Sequence, residues 1–133
     1  MIYLWVGLSG VLGALLRYGM GQWIALPDGG GFPLSTLIVN LTGCLALAFF
    51  YTAAATRFKV HPHFRAAFGT GFIGSYTTFS TFCKEGILLV KDGHTGTALA
   101  YILISLAGGY ACAWLGVRLG TFKPRKAAEG GQA

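Results

Sequence analysis

Four stretches of this chain are each long and apolar enough to cross a lipid bilayer, and little chain is left between them. They run over about residues 2–26, 34–56, 64–90 and 97–120, each at least the roughly 20 residues that a spanning helix needs. The helix breakers fall between the stretches, in Pro27-Asp28-Gly29-Gly30-Gly31, His61-Pro62-His63 and Asp92-Gly93-His94; such clusters mark turns. Only 11% of the residues are charged and 54% are hydrophobic, whereas a soluble domain carries about 25% charge. The pattern predicts an all-α membrane protein with four transmembrane helices in one domain over residues 1–120. The basic tail over residues 121–133 has nothing to bury and is expected to be disordered.

The first stretch differs from a secretory signal. No Lys or Arg precedes Arg17, and the apolar run exceeds an h-region of about 7–15 residues. It is expected to remain as a span. Cys44, Cys83 and Cys112 all fall within spans; an odd number argues against a disulfide framework, and free cysteine packs as a small apolar residue. The net charge of +6 has no basic helix or aromatic platform outside the membrane to hold nucleic acid. The charges instead report topology. Arg57, Lys59, Arg65, Arg118, Lys123, Arg125 and Lys126 fall on the side of the N-terminus, and Arg17, Lys84 and Lys91 toward the other. By the positive-inside rule this places both termini in the cytoplasm.

One segment of the third stretch sits poorly in lipid. Gly69 to Glu85 reads Gly-Thr-Gly-Phe-Ile-Gly-Ser-Tyr-Thr-Thr-Phe-Ser-Thr-Phe-Cys-Lys-Glu, rich in glycine and hydroxyls. Irregular backbone at membrane depth is tolerated only where protein or a water-filled pathway satisfies it. The run therefore points to a pore or a binding site, with an interruption expected at Gly74 to Thr78. After it, Phe79 and Phe82 stand three apart, on one face of a resumed helix. They read either as core or as rings whose positive edges meet an anion. Ser80 and Thr81 place hydroxyls between them.

Polar residues in the other stretches allow similar pairs of readings. Asn40 lies mid-span, with Thr36 one turn earlier on the same face; its amide serves as interhelical glue or as a pore-lining donor. Tyr101 and Ser105, four apart, share a face of the last span. Arg17 either snorkels to the interface or lines a vestibule that draws in an anion. Glu85, beside Lys84, suits a proton-coupled transport site or an interfacial anchor. His61, His63 and His94 read as solvated loop residues. Glycine and alanine at Gly7, Gly10, Gly13 and Ala14, and at Ala107, Gly108, Gly109 and Ala111, read as close-packing positions. Four such helices enclose little interior, so a pathway would form between subunits. No nucleophile with its base, and no phosphate-cradling loop, is present in the sequence, which argues against an enzyme.

Taken together, these residues resemble the Fluc or CrcB family of small bacterial fluoride channels from Gly7 to about Gly120. The match is carried by Gly10-Val11-Leu12-Gly13-Ala14-Leu15-Leu16-Arg17-Tyr18, by Ser35-Thr36-Leu37-Ile38-Val39-Asn40-Leu41-Thr42-Gly43, by Gly71 to Phe82, and by Tyr101 to Ser105. Thr-Thr-Phe-Ser-Thr-Phe after a glycine-rich interruption is the most specific of these. The resemblance implies an antiparallel, dual-topology homodimer in the cell inner membrane, with two fluoride pores along the subunit interface. It implies a structural sodium ion at the centre, held by the carbonyls of Gly74 and Thr77. Family roles then fall on Asn40 as a pore donor and on Phe79 and Phe82 as an aromatic box. Ser80, Thr81, Tyr101, Ser105 and Thr36 correspond to a polar track, and Arg17 and Glu85 to the vestibule.

Two features depart from the family pattern. Ser35 stands where glycine is frequent, and Ser75-Tyr76 replace a commoner glycine-plus-apolar pair. Dual insertion also predicts little Lys/Arg bias, whereas the sides here count seven and three. The function expected is passive export of cytoplasmic fluoride. A small multidrug-type transporter would need a carboxylate within the first span, which has none, and a non-transporting scaffold subunit would leave the hydroxyl-rich run without a purpose.

Overall fold

The computed structural model describes residues 1–24 and 31–122, and every regular element among them is helical. Helix α1 spans Ile2–Ile24, α2 Leu34–Thr56 and α6 Thr95–Thr121. With 23, 23 and 27 residues, these three are long and apolar enough to cross a membrane. The chain is a multi-pass membrane protein. Residues 25 and 26 of the first stretch, most of the turn after it, and the tail from 123 lie outside the described residues.

The third stretch is segmented. A short α3, Pro62–Ala66, leads into a π-helix over Ala67–Ile73, followed by α4, Gly74–Tyr76. Pro62 occupies the first turn of α3, where its missing N–H costs nothing. Thr77 (ψ 157°) and Thr78 (φ −147°, ψ 121°) are extended, and α5 then runs over Phe79–Lys91. The extended segment is thus narrower than the expected Gly74 to Thr78. Gly74 stays helical because its N–H reaches back to the Gly69 carbonyl, closing the last wide turn of the π-helix. The helical turn between α5 and α6 ends in a Schellman motif: Gly93 takes φ 81°, and the N–H groups of Gly93 and His94 donate to Val90 and Leu89.

Small residues set how closely the helices approach. The most extensive pairing is α2 with α6, made possible by Gly116 and Gly120. A Cβ at Gly116 would lie 2.5 Å from the Leu45 carbonyl oxygen, and one at Gly120 2.6 Å from Thr52 Cβ. This pair seals at its end, where Arg57 Nη2 donates to the Leu119 carbonyl (2.8 Å) and Thr56 to that of Gly120 (3.1 Å). On the other side, α1 packs on the π-helix and α4. There a Cβ at Gly13 would lie 2.1 Å from the Phe72 carbonyl oxygen, and one at Gly71 2.1 Å from Ser9 Oγ. Of the small residues named from the sequence, Gly10 and Gly13 make close approaches and Gly108 meets Leu41, whereas Gly7 faces open space. Close approach of this kind, with little apolar difference between lipid and protein, is what holds helices together in a bilayer.

Candidate functional site

The extended pair Thr77-Thr78 is held by a side chain that copies a strand partner. The Thr78 N–H donates to Asn40 Oδ1 at 2.8 Å, and Asn40 Nδ2 donates to the Thr78 carbonyl at 3.0 Å. A carboxamide carries one acceptor and two donor hydrogens, so it satisfies both backbone groups of one residue and keeps one N–H in hand. The resumption of the helix is capped by the same residue. Thr78 Oγ1 accepts from the Thr81 N–H at 3.3 Å and donates to Thr81 Oγ1 at 2.9 Å, which satisfies one orphan donor of the first turn of α5.

These two contacts withdraw donors from particular carbonyls. In a continuous helix the Thr78 N–H would go to the Gly74 carbonyl and the Thr81 N–H to that of Thr77. Here the first goes to Asn40 and the second to the Thr78 hydroxyl. Gly74 and Thr77, the two residues singled out for a cation, therefore present carbonyls stripped of their helical donors. A hard cation takes oxygen ligands of that kind.

A second polar group lies deeper toward α6. Glu85 receives two hydroxyls, from Thr36 to Oε1 at 2.8 Å and from Tyr101 to Oε2 at 2.9 Å. Tyr101 is fully buried, among Leu37, Leu89 and Ala98. Its ring lies 5.1 Å from Phe82 and 5.6 Å, edge-on, from Phe32. Phe82 in turn sits 5.8 Å from Phe79, whose ring is 78% exposed.

Two hollows meet at Thr78. One, of about 220 Å³, is lined by Arg17, Thr36, Thr81 and Glu85 among others. The other, an open groove of about 340 Å³, is lined by Asn40, Gly74, Thr77, Phe79, Phe82 and Ser105 with apolar neighbours. The residues expected to act together thus fall into a charged, hydroxyl-lined cavity and an aromatic groove. Ser80 and Tyr101 line neither: Tyr101 is buried behind Glu85 and Phe82, and Ser80 is exposed, its hydroxyl 3.4 Å from Thr78 Oγ1. Arg17 Nε is buried without a hydrogen-bond partner among the described residues.

Sequence reasoning did not find the contact of Tyr76 with Thr42, whose oxygens lie 2.9 Å apart, nor the capping role of Thr78. The second had a signal, a threonine three residues before another at a helix start; the first, across 34 positions, had none.

The model of the family described as "CrcB-like protein, Camphor Resistance (CrcB)" matches residues 4–117. The chain belongs to this family. A relative in Acidobacterium capsulatum, named Fluoride-specific ion channel FluC, is 45% identical over 120 residues, covering 90% of this chain and 96% of its own. A Fluoride-specific ion channel FluC 2 of Geobacillus kaustophilus is 45% identical over 116 residues, with 87% and 90% covered. Another so named, of Listeria innocua, is 41% identical over 129 residues, with 97% and 98% covered.

Proposed function

We propose that this chain is a fluoride-specific channel that lets fluoride leave the cytoplasm passively. The observation that carries the reading is similarity at 45% identity, nearly end to end, to proteins named as such channels. The site is chemically suited to it. Fluoride is small and tightly hydrated, so a pathway has to replace its water with donors at close spacing. Around Thr78 the remaining N–H of Asn40 and the hydroxyls of Thr81 and Ser105 are such donors, and the rings of Phe79 and Phe82 offer positive edges without a formal charge that would trap the ion. Thr36 and Tyr101 both donate to Glu85, which quenches a carboxylate that would otherwise repel an anion at this point. Arg17 lines the same cavity and supplies the attractive charge.

The segment from α3 to α5 is taken as one membrane span, broken at Thr77-Thr78. The working unit is an antiparallel, dual-topology homodimer in the inner membrane. A second copy would close the groove that holds Phe79, whose ring a single chain leaves bare, and each of the two grooves would then form a pore. A sodium ion would be held by the Gly74 and Thr77 carbonyls, which have lost their helical donors. Bound there, sodium would fix the positions of the breaks and draw anions toward the centre.

The test is efflux from fluoride-loaded liposomes containing the purified protein, followed with a fluoride electrode. Rapid fluoride release with chloride retained is the expected result. Absence of release in sodium-containing buffer, or equal passage of chloride, would overturn the proposal.

A further inference from the structure

We propose that Tyr76 is a positioning residue for the break, acting through a directed hydrogen-bond relay into α2. This rests on the reading of the break as part of the fluoride pathway. The direction of the relay follows from counting protons. Thr42 Oγ1 lies 2.8 Å from the Ile38 carbonyl and 3.1 Å from that of Val39, and both are acceptors only. The single hydroxyl proton of Thr42 therefore points into its own helix, and the 2.9 Å contact with Tyr76 is Tyr76 donating to Thr42.

The placement gives the relay its role. Tyr76 is 8% exposed and immediately precedes the extended pair; Thr42 stands two residues after Asn40. Helix α2 therefore grips the break twice, at Tyr76 just before it and at Thr78 within it. Between the two grips Gly43 passes so close that a Cβ there would lie 2.1 Å from Thr77 Cγ2. The tyrosine ring cannot swing freely, because it continues a stack with Phe72 at 6.5 Å and an interplanar angle of 5°. A shift of the Tyr76 hydroxyl would thus move the whole of α4, carrying the Gly74 and Thr77 carbonyls and loosening the Asn40 clamp.

The directed relay makes the two ends unequal. Y76F removes the donor and leaves Thr42 still bonded to Ile38. T42V removes the acceptor and strands the buried tyrosine hydroxyl, which is the costlier change. T42S keeps the acceptor. The experiment combines hydrogen exchange at the Thr78 amide with fluoride efflux for Y76F, T42V, T42S and the double variant. Exchange at Thr78 is expected to rise about fivefold in Y76F, the factor of one hydrogen bond of ordinary net strength. It should rise further in T42V, return toward the Y76F level in the double variant, and stay at the wild-type level in T42S. Efflux should fall in the same order. Additive effects of the two single changes, equal exchange in Y76F and T42V, or efflux that does not follow exchange would each overturn the proposal. If the wild type passes no fluoride, the channel reading falls by itself, and the exchange series alone decides whether Tyr76 holds the break.

Discussion

Replacing Asn40 with alanine strands both backbone groups of Thr78. Each interhelical hydrogen bond within a membrane is worth about 0.6 kcal/mol on average, whereas a buried backbone group left without any partner costs about 1–3 kcal/mol. The structure favours the larger figure. The Thr78 N–H and carbonyl have left the helical ladder, and their bonds to Asn40, at 2.8 and 3.0 Å, are part-buried. Two such groups give an expected loss of about 2–6 kcal/mol for N40A. N40L fills the vacated volume without a donor or acceptor, so it should lose about as much; a cavity explanation predicts that it recovers most of the stability. Thermal unfolding of the detergent-solubilised protein measures the loss, and hydrogen exchange at Thr78 locates it. Fluoride efflux should be abolished in both variants. Unfolding curves for N40A that overlay the wild type, or full recovery in N40L, would refute the clamp.

Three further outcomes follow from the packing and the site. G43A should push a methyl into Thr77, costing about 1–3 kcal/mol and most of the flux, and T77S should rescue it in the double variant because it removes the methyl in the way while its hydroxyl still reaches Ile73; failure of rescue in the unfolding and efflux assays counts against the contact. G7A, where a Cβ meets nothing within 4 Å, serves as the neutral control. F82I should stop fluoride efflux while the protein still elutes as a dimer on size exclusion; unchanged flux would reject the aromatic role. Prolonged dialysis into sodium-free buffer should lower efflux reversibly, and activity indifferent to sodium would remove the ion from the Gly74 and Thr77 carbonyls.

Length and hydropathy were enough to place α2, which begins at Leu34 and ends at Thr56 as expected, because Pro33 before it and Arg57 after it mark the change from lipid to interface. The same reasoning located the third stretch but not its internal form. Periodicity assumes a fixed number of residues per turn, and the π-helix over Ala67–Ile73 changes that number without a Pro or a charge to announce it. Asn40 was recognisable as a polar residue needing partners; that both partners would be backbone groups of Thr78 depends on a contact 38 positions away. Thr36 was paired with Asn40 by helical spacing, yet its hydroxyl turns to Glu85, since a carboxylate is the stronger acceptor. Gly116 and Gly120 escaped notice beside Gly108 and Gly109 because spacing along one helix does not say which face meets α2.

The π-helix also fixes the phase of everything that follows it. Phe64, Phe68, Phe72 and Tyr76 recur every fourth residue, and consecutive rings lie within 6.5 Å in near-parallel planes. A four-residue step overshoots an α turn of about 3.6 residues and undershoots the wider i→i+5 turn, so mixing the two cancels the drift and keeps the four rings in one column. In helical terms the wide turn acts as a one-residue insertion. Deleting a single residue between 67 and 73 would let the segment return to the α period with the chain beyond it close to its present phase, whereas forcing all seven residues into α turns would rotate that chain by one residue step, ~100°. In that second case Phe64 would stay in place, while Tyr76, Thr78, Phe79 and Phe82 would turn away from α2 together, so a change in the width of one turn would erase the site without touching any residue in it.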